Sequence, residues 1–190
     1  METFKHTVKA GERYSETLLF LPGESRDVSL EFDLAGPGAE LSLNGLYLCG
    51  AEERVNIHVV VRHLVPGCNS KQLFKGFAGG TSKVSFDGLI VVSEDAQKTE
   101  AYQENHSILL SETAVVETSP QLEIYADDVK CSHGATVGRL DEQALFYLCS
   151  RGIPEKEARM LQMISFIAPV TSGLSPEGRD KVEKALAKLI

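Results

Sequence analysis

From Tyr14 to about Val137 the chain is a succession of short apolar runs separated by turn residues. The runs include Thr17–Leu21, Val28–Phe32, Leu41–Leu48, Val55–His63, Val84–Val92, Ser107–Leu110 and Leu122–Tyr125. Several alternate with a period of two. Val28, Leu30 and Phe32 share one strand face, with Ser29 and Glu31 on the other. Pro22-Gly23, Gly36-Pro37-Gly38, Pro66-Gly67, Gly79-Gly80 and Asp87-Gly88 punctuate the runs as turns. This spacing predicts an all-β sandwich, barrel or solenoid, and no strict sequence repeat chooses among them. Between Lys98 and Asn105, alternation places Ala101, Gln103 and Asn105 on one face. Amides on an inner face are costly unless paired, and stacked rungs could pair them. A solvent-facing position is the competing reading, and spacing leaves both open.

Beyond Val137 the pattern becomes helical. Asp141 is a plausible N-cap, with Leu140 and Leu145 placed as a hydrophobic staple. Ala144, Leu145, Leu148 and Cys149 form the stripe that follows, and Gly152 stops it. Pro154 is expected at the first position of a second helix. There Leu161, Ile164 and Ala168 share a face widened by Met160, Met163 and Ile167, and Pro169 helps to end it. Ser175 and Pro176 open a third helix carrying Val182, Ala185, Leu186 and Leu189. The predicted division is a β core over residues 1–139 and a helical segment over 140–190. The helices have apolar faces to bury, against the β core or against another protein.

Composition narrows the function classes. An apolar fraction of 43% with 24% charged residues is that of a globular chain. A net charge of −8 without any basic stripe argues against nucleic acid. No run approaches the roughly 20 apolar residues of a membrane span. The residues from Met1 have no secretory pattern, so a cytoplasmic location is the expectation. In that setting Cys49, Cys68, Cys131 and Cys149, with no CxxC pair, read as reduced thiols. The glycosylation match at Asn105-His106-Ser107 is then accidental.

Signatures of nucleotide loops, zinc proteases and serine hydrolases are absent. The best chemical candidate is Lys130-Cys131-Ser132-His133-Gly134. On a strand, Cys131 and His133 project from one face about 6–7 Å apart, a thiol and an imidazole suited to iron, zinc or copper. Two ligands do not close a site, and a core-filling Cys131 beside Val129 is the plainer alternative. His58 and His63, five apart, face opposite ways. Cys49 and Cys68 read as core, Asp127-Asp128 as a solvated turn, Glu52-Glu53 as loop surface, and Met160 with Met163 as packing.

Leu122 to Gly138, running LEIYADDVKCSHGATVG, continues through Leu140-Asp141-Glu142-Gln143-Ala144-Leu145-Phe146-Tyr147-Leu148 and Ser150-Arg151-Gly152-Ile153. This stretch resembles, nearly residue for residue, the C-terminal motif of the SufB/SufD family of iron–sulfur cluster assembly proteins. His58–His63, Ala96–Thr99, Gln103-Glu104-Asn105 and Leu109-Leu110-Ser111 add to the likeness, and Cys131–Gly134 looks like the SufD branch. The resemblance implies a mainly β fold, a right-handed parallel β-helix (solenoid) followed by a short C-terminal helical segment. It implies a non-catalytic scaffold that pairs with a SufB-like subunit and docks a SufC-like ATPase. Leu145, Phe146, Tyr147, Arg151 and Ile153 fall in the docking segment. His133 and Cys131 fall at the subunit interface, where iron or a cluster would be held transiently with ligands from the partner and not stably by this chain alone. Family members are typically about twice as long, with an N-terminal helical region. Unpaired strand edges make a homodimer an expectation for the isolated chain. A self-contained metal-dependent enzyme using Cys131 and His133 lacks a recognisable general base. A β-helical carbohydrate-binding protein would want exposed aromatic platforms, and the chain has no Trp.

Overall fold

The computed structural model describes all 190 residues. Its ten strands are β1 (Glu2–Val8), β2 (Arg13–Phe20), β3 (Arg26–Leu34), β4 (Glu40–Cys49), β5 (Arg54–His63), β6 (Asn69–Ala78), β7 (Lys83–Val92), β8 (Glu100–Leu109), β9 (Val115–Ile124) and β10 (Lys130–Gly138). Odd strands form one five-stranded parallel sheet and even strands the other. Each turn therefore contributes one strand to each sheet, giving a parallel β-helix of about five turns, for which L-chains take the right-handed crossover. Arg13 pairs with Glu40, Glu40 with Asn69, Asn69 with Glu100, and Glu100 with Lys130. The chain thus repeats about every 30 residues in space, although no residue pattern announces it. β1 precedes Tyr14, where the sequence pattern first becomes visible.

Inward-facing residues stack in columns along the axis. The first turns are apolar, with Leu34, Leu43, Ile57 and Phe32 nearly inaccessible. Large side chains fit because glycines face them. A Cβ at Gly76 would fall inside 3.0 Å of the Tyr47 ring, and one at Gly45 would meet the Phe74 ring. The turns entering the first four even strands use a left-handed residue two positions before the strand: Gly11, Gly38, Gly67 and, in the fourth, Lys98 at φ 61°.

The later turns turn polar inside. Gln103 and Asn105 are fully buried, so the inward placement is the one adopted. Gln103 Nε2 donates to Gln72 Oε1 at 2.9 Å. The Tyr47 hydroxyl donates to Asn105 Oδ1 at 3.2 Å and also pairs with Ser107, and Asn105 Nδ2 donates to Thr118 Oγ1 at 3.0 Å. His63 is sealed beside Ser70, with Nε2 2.9 Å from its hydroxyl. Stacking supplies the partners that an isolated inner amide would lack.

Glu53 departs from its expected surface position. It is 6% exposed and accepts backbone N–H groups from Gly23, Gly50 and Ala51 at 2.9, 3.1 and 2.8 Å. It thereby ties the loop after β2 to the loop after β4. Sequence spacing could not show that a carboxylate in an acidic loop would be spent on orphan amides.

A pH prediction arises here. Burial depresses the His63 imidazole to about 4, against an ordinary value near 6.5. The unfolded chain therefore binds the proton more readily, and this contribution to stability is intact above about pH 6.5 and lost as pH falls toward 4. Glu53 adds to the loss below its ordinary range. Burial pushes its carboxyl up, but the amide hydrogen bonds outweigh that and hold it low, so its stabilisation is present above the unfolded value and lost on acidification. Between pH 7 and pH 5 the unfolding free energy is expected to drop by about 2 kcal/mol from His63. Urea titrations at both pH values should show the drop, and a His63→Met variant should flatten it.

Three helices follow: α1 (Glu142–Ser150), α2 (Glu155–Thr171) and α3 (Pro176–Leu186). Asp141 caps α1 by accepting from Gln143 and Ala144, and Ser175 caps α3. Pro154 sits one place earlier than expected, at the N-cap of α2, and Pro169 lies inside α2, which runs on to Thr171. The buried face of α2 is Ala158, Met163, Ile167 and Val170. Leu161 and Ile164, assigned to the packing face from spacing, are 49% and 41% exposed, and Ala168 is exposed with them. A second core explains the rotation. α2 and α3 lie on the outer face of the even sheet, where Met163, Ile167, Val170, Val182 and Leu186 cover Leu46, Leu48 and Phe77.

Candidate functional site

β9 and β10 are the last strands of their sheets, each with a single hydrogen-bonded neighbour. In β10, Cys131 continues the inward column of Ala101 and His133 that of Gln103; Ala135 lies over Asn105 and Val137 over Ser107. In β9, Thr118 lies over Phe86, Pro120 over Gly88, and Leu122 over Ile90. These residues keep the inward alternation, but no further turn covers them. The end of the solenoid is therefore an open face.

Cys131 and His133 do share one strand face, and their surroundings differ. Cys131 is half-buried against Ile90, Ala96, Ala101 and Ala126, whereas the His133 side chain is exposed. Burial raises the Cys131 thiol, opposed by a backbone hydrogen bond with Ala101. It is thus held as the neutral thiol until a metal or a partner's charge displaces the proton. No three His, Cys, Asp or Glu side chains gather anywhere as a metal cluster. A soft sulfur and an imidazole on an open face have the chemistry of ligands for iron, zinc or copper, and two ligands do not close such a site.

Around this pair the last turn exposes Val115, Ile124, Tyr125 and Val137 at 40%, 41%, 63% and 42%, beside the unpaired backbone of two edge strands. Such an edge recruits another chain. The sequence reading missed Gln103 and Gln72 as neighbours of this site. Their inner-face alternation was visible, but which turn stacks on which was not.

Other candidates lie elsewhere. His58 is exposed, 3.9 Å from Asp87, while His63 faces the interior. Cys49, Cys68 and Met163 are core, and Asp127 and Asp128 are exposed in the turn before β10. In the helical segment, Leu145 is buried and Ile153 half-buried. Phe146 and Tyr147 are 74% and 56% exposed, and the Arg151 guanidinium lies 5.3 Å from the Tyr147 ring centre. With Leu161 and Ile164 of α2 they leave exposed apolar side chains on both helices. No helix is long and apolar enough to cross a membrane.

The fold is thus a stacked parallel solenoid with flanking helices, carrying a thiol and an imidazole on its last strand. Residues 2–166 match the family model described as SUF system FeS cluster assembly, SufBD core domain, and the chain belongs to that family, with a SufD-like core. It is 42% identical over 145 residues to the iron–sulfur cluster assembly protein SufD of Escherichia coli, covering 76% of this chain and 34% of that protein. It is 34% identical to SufD of Bacillus subtilis, covering 83% of this chain and 36% of the relative. With the chloroplastic protein ABCI7 of Arabidopsis thaliana it shares 39% identity, covering 69% and 28%. The chain spans about a third of the length of these relatives.

Proposed function

We propose that the chain is a non-catalytic scaffold of a SUF assembly complex, presenting His133, with Cys131 beside it, to a SufB-like subunit across the open end of its β-helix. The observation that carries this reading is the last turn, where inward-type ligands sit on unpaired, partly apolar edge strands. The ligand set is incomplete in this chain and would be completed by the partner, with iron or a nascent cluster as cargo. Reconstitution on the assembled complex tests it. His133→Ala should lower cluster yield at least about tenfold while leaving subunit assembly intact. Undiminished yield would remove His133 from the site.

Phe146 and Tyr147 are the proposed contacts for a SufC-like ATPase. Their exposure is unusual for large apolar side chains, and aromatic anchors dominate interface energetics. A Phe146→Ala, Tyr147→Ala double variant should lose ATPase capture in a pull-down, by about 2 kcal/mol or more, with an unchanged melting temperature. Capture equal to that of the unaltered chain would overturn the docking assignment. Deleting residues 140–190 is the poorer experiment, because it also uncovers the second core.

A further inference from the structure

We infer that Gln103 is a positioning residue for His133, its side-chain carbonyl being the acceptor that orients the imidazole; the inference rests on His133 acting at the open face. Leu43, Gln72, Gln103 and His133 occupy one column across four successive strands of the even sheet. Gln103 is fully buried, and its Nε2 donates toward the earlier turn, to Gln72 Oε1 at 2.9 Å. Two amide atoms of this ladder lack partners, Gln72 Nε2 and Gln103 Oε1. The first is explained by Leu43, which offers no acceptor at the next position down the column. In a ladder of stacked amides the N–H groups point one way along the axis and the carbonyls the other. Gln103 Oε1 is thus directed to the fifth turn, where the residue in register is His133.

The opposite wall supports the same reading. A Cβ on Gly88 would fall inside 3.0 Å of the Gln103 amide, so the amide reaches across to β7. The residue stacked on Gly88 is Pro120, which has no N–H to give. The donor available to a buried carbonyl at this level is the His133 ring. When a partner covers the open face, an imidazole N–H on Gln103 Oε1 fixes the ring's tautomer and turns its other nitrogen, with a free lone pair, toward the interface. Ligating histidines are commonly oriented through a hydrogen bond from their second nitrogen to a carbonyl.

The test compares Gln103→Met with Gln72→Met and His133→Ala in the complex assembled with the SufB-like subunit and the ATPase. Both methionine variants remove the Gln72–Gln103 hydrogen bond and should lower the melting temperature similarly, but only Gln103→Met removes the acceptor. Cluster yield is expected to fall about tenfold for Gln103→Met and to stay at the unaltered level for Gln72→Met. With ¹⁵N-histidine label in this chain, the His133 ring should show one tautomer in the unaltered and Gln72→Met complexes and a mixture in Gln103→Met. Equal yield losses in the two methionine variants would overturn the inference, as would an unaltered tautomer in Gln103→Met. Should His133→Ala give full yield, the site reading falls, and the tautomer comparison alone decides whether Gln103 holds the ring.

Discussion

Replacing Gly76 by alanine is expected to destabilise the chain by about 3 kcal/mol or more and to reduce its soluble yield. Gly76 lies on β6 in register with Tyr47 on β4, and the methyl group would enter the space held by three Tyr47 ring carbons. The ring cannot retreat. It is fully buried, and its hydroxyl is held by Asn105 and Ser107 two strands away. The buried phenol is kept neutral, its pKa pushed far up by burial, so charge offers no escape. Thermal unfolding of Gly76→Ala against the unaltered chain measures the loss. In a Tyr47→Leu background the same substitution should cost less than half as much, because neighbouring sites couple. Additive losses would show that the ring and glycine do not share the space.

Removing residues 154–190 should be equally damaging. Met163, Ile167, Val170, Val182 and Leu186 are at most 2% exposed, and burying each contributes about 1.5–3 kcal/mol before the entropy of ordering two helices is subtracted. Their loss also bares Leu46, Leu48 and Phe77 as a contiguous apolar patch on the even sheet, the kind of surface that drives aggregation. The shortened chain is expected in the insoluble fraction, or to melt far below the full chain if refolded. An Ile167→Asp variant should reproduce much of the effect by placing a charge in that contact. A truncated chain that melts like the full one would mean the helices are appendages to a self-sufficient solenoid.

Much of this architecture was legible in the chain. Period-two runs and most of the turn punctuation marked the strands, although Asp87-Gly88, expected as a turn, lies inside β7 where Gly88 makes room for Gln103; the caps at Asp141 and Ser175 placed α1 and α3. The turn-to-turn stacking was not legible, because parallel pairing joins residues about 30 apart through turns of unequal length. The same gap hid the Gln72–Gln103 ladder and the buried role of Glu53, both of which exist only once distant turns meet. α2 misled for another reason: it is apolar nearly all round. Periodicity alone could not separate Met163 and Ile167, which pack on the sheet, from Leu161 and Ile164, which remain in solvent. The Cys131–His133 pairing was readable from strand alternation, whereas their place on the terminal strand required the full count of turns.

The Phe166 ring rests on Phe77 with ring centres 5.3 Å apart, and the same apolar cluster takes in Leu46 of β4 and Ile108 of β8. Three successive strands of the even sheet thereby share one apolar cluster with the helices, and the next strand in line is β10. Load applied at Phe146 or Tyr147 would travel into a rigid plate rather than a hinge, since the hydrogen bonds of a β-helix run along its axis and resist stretching in concert. Displacing the helices by a few ångströms would shift the terminal strand as one body. The helical segment and the terminal strand are thus joined through three successive parallel pairings of the even sheet.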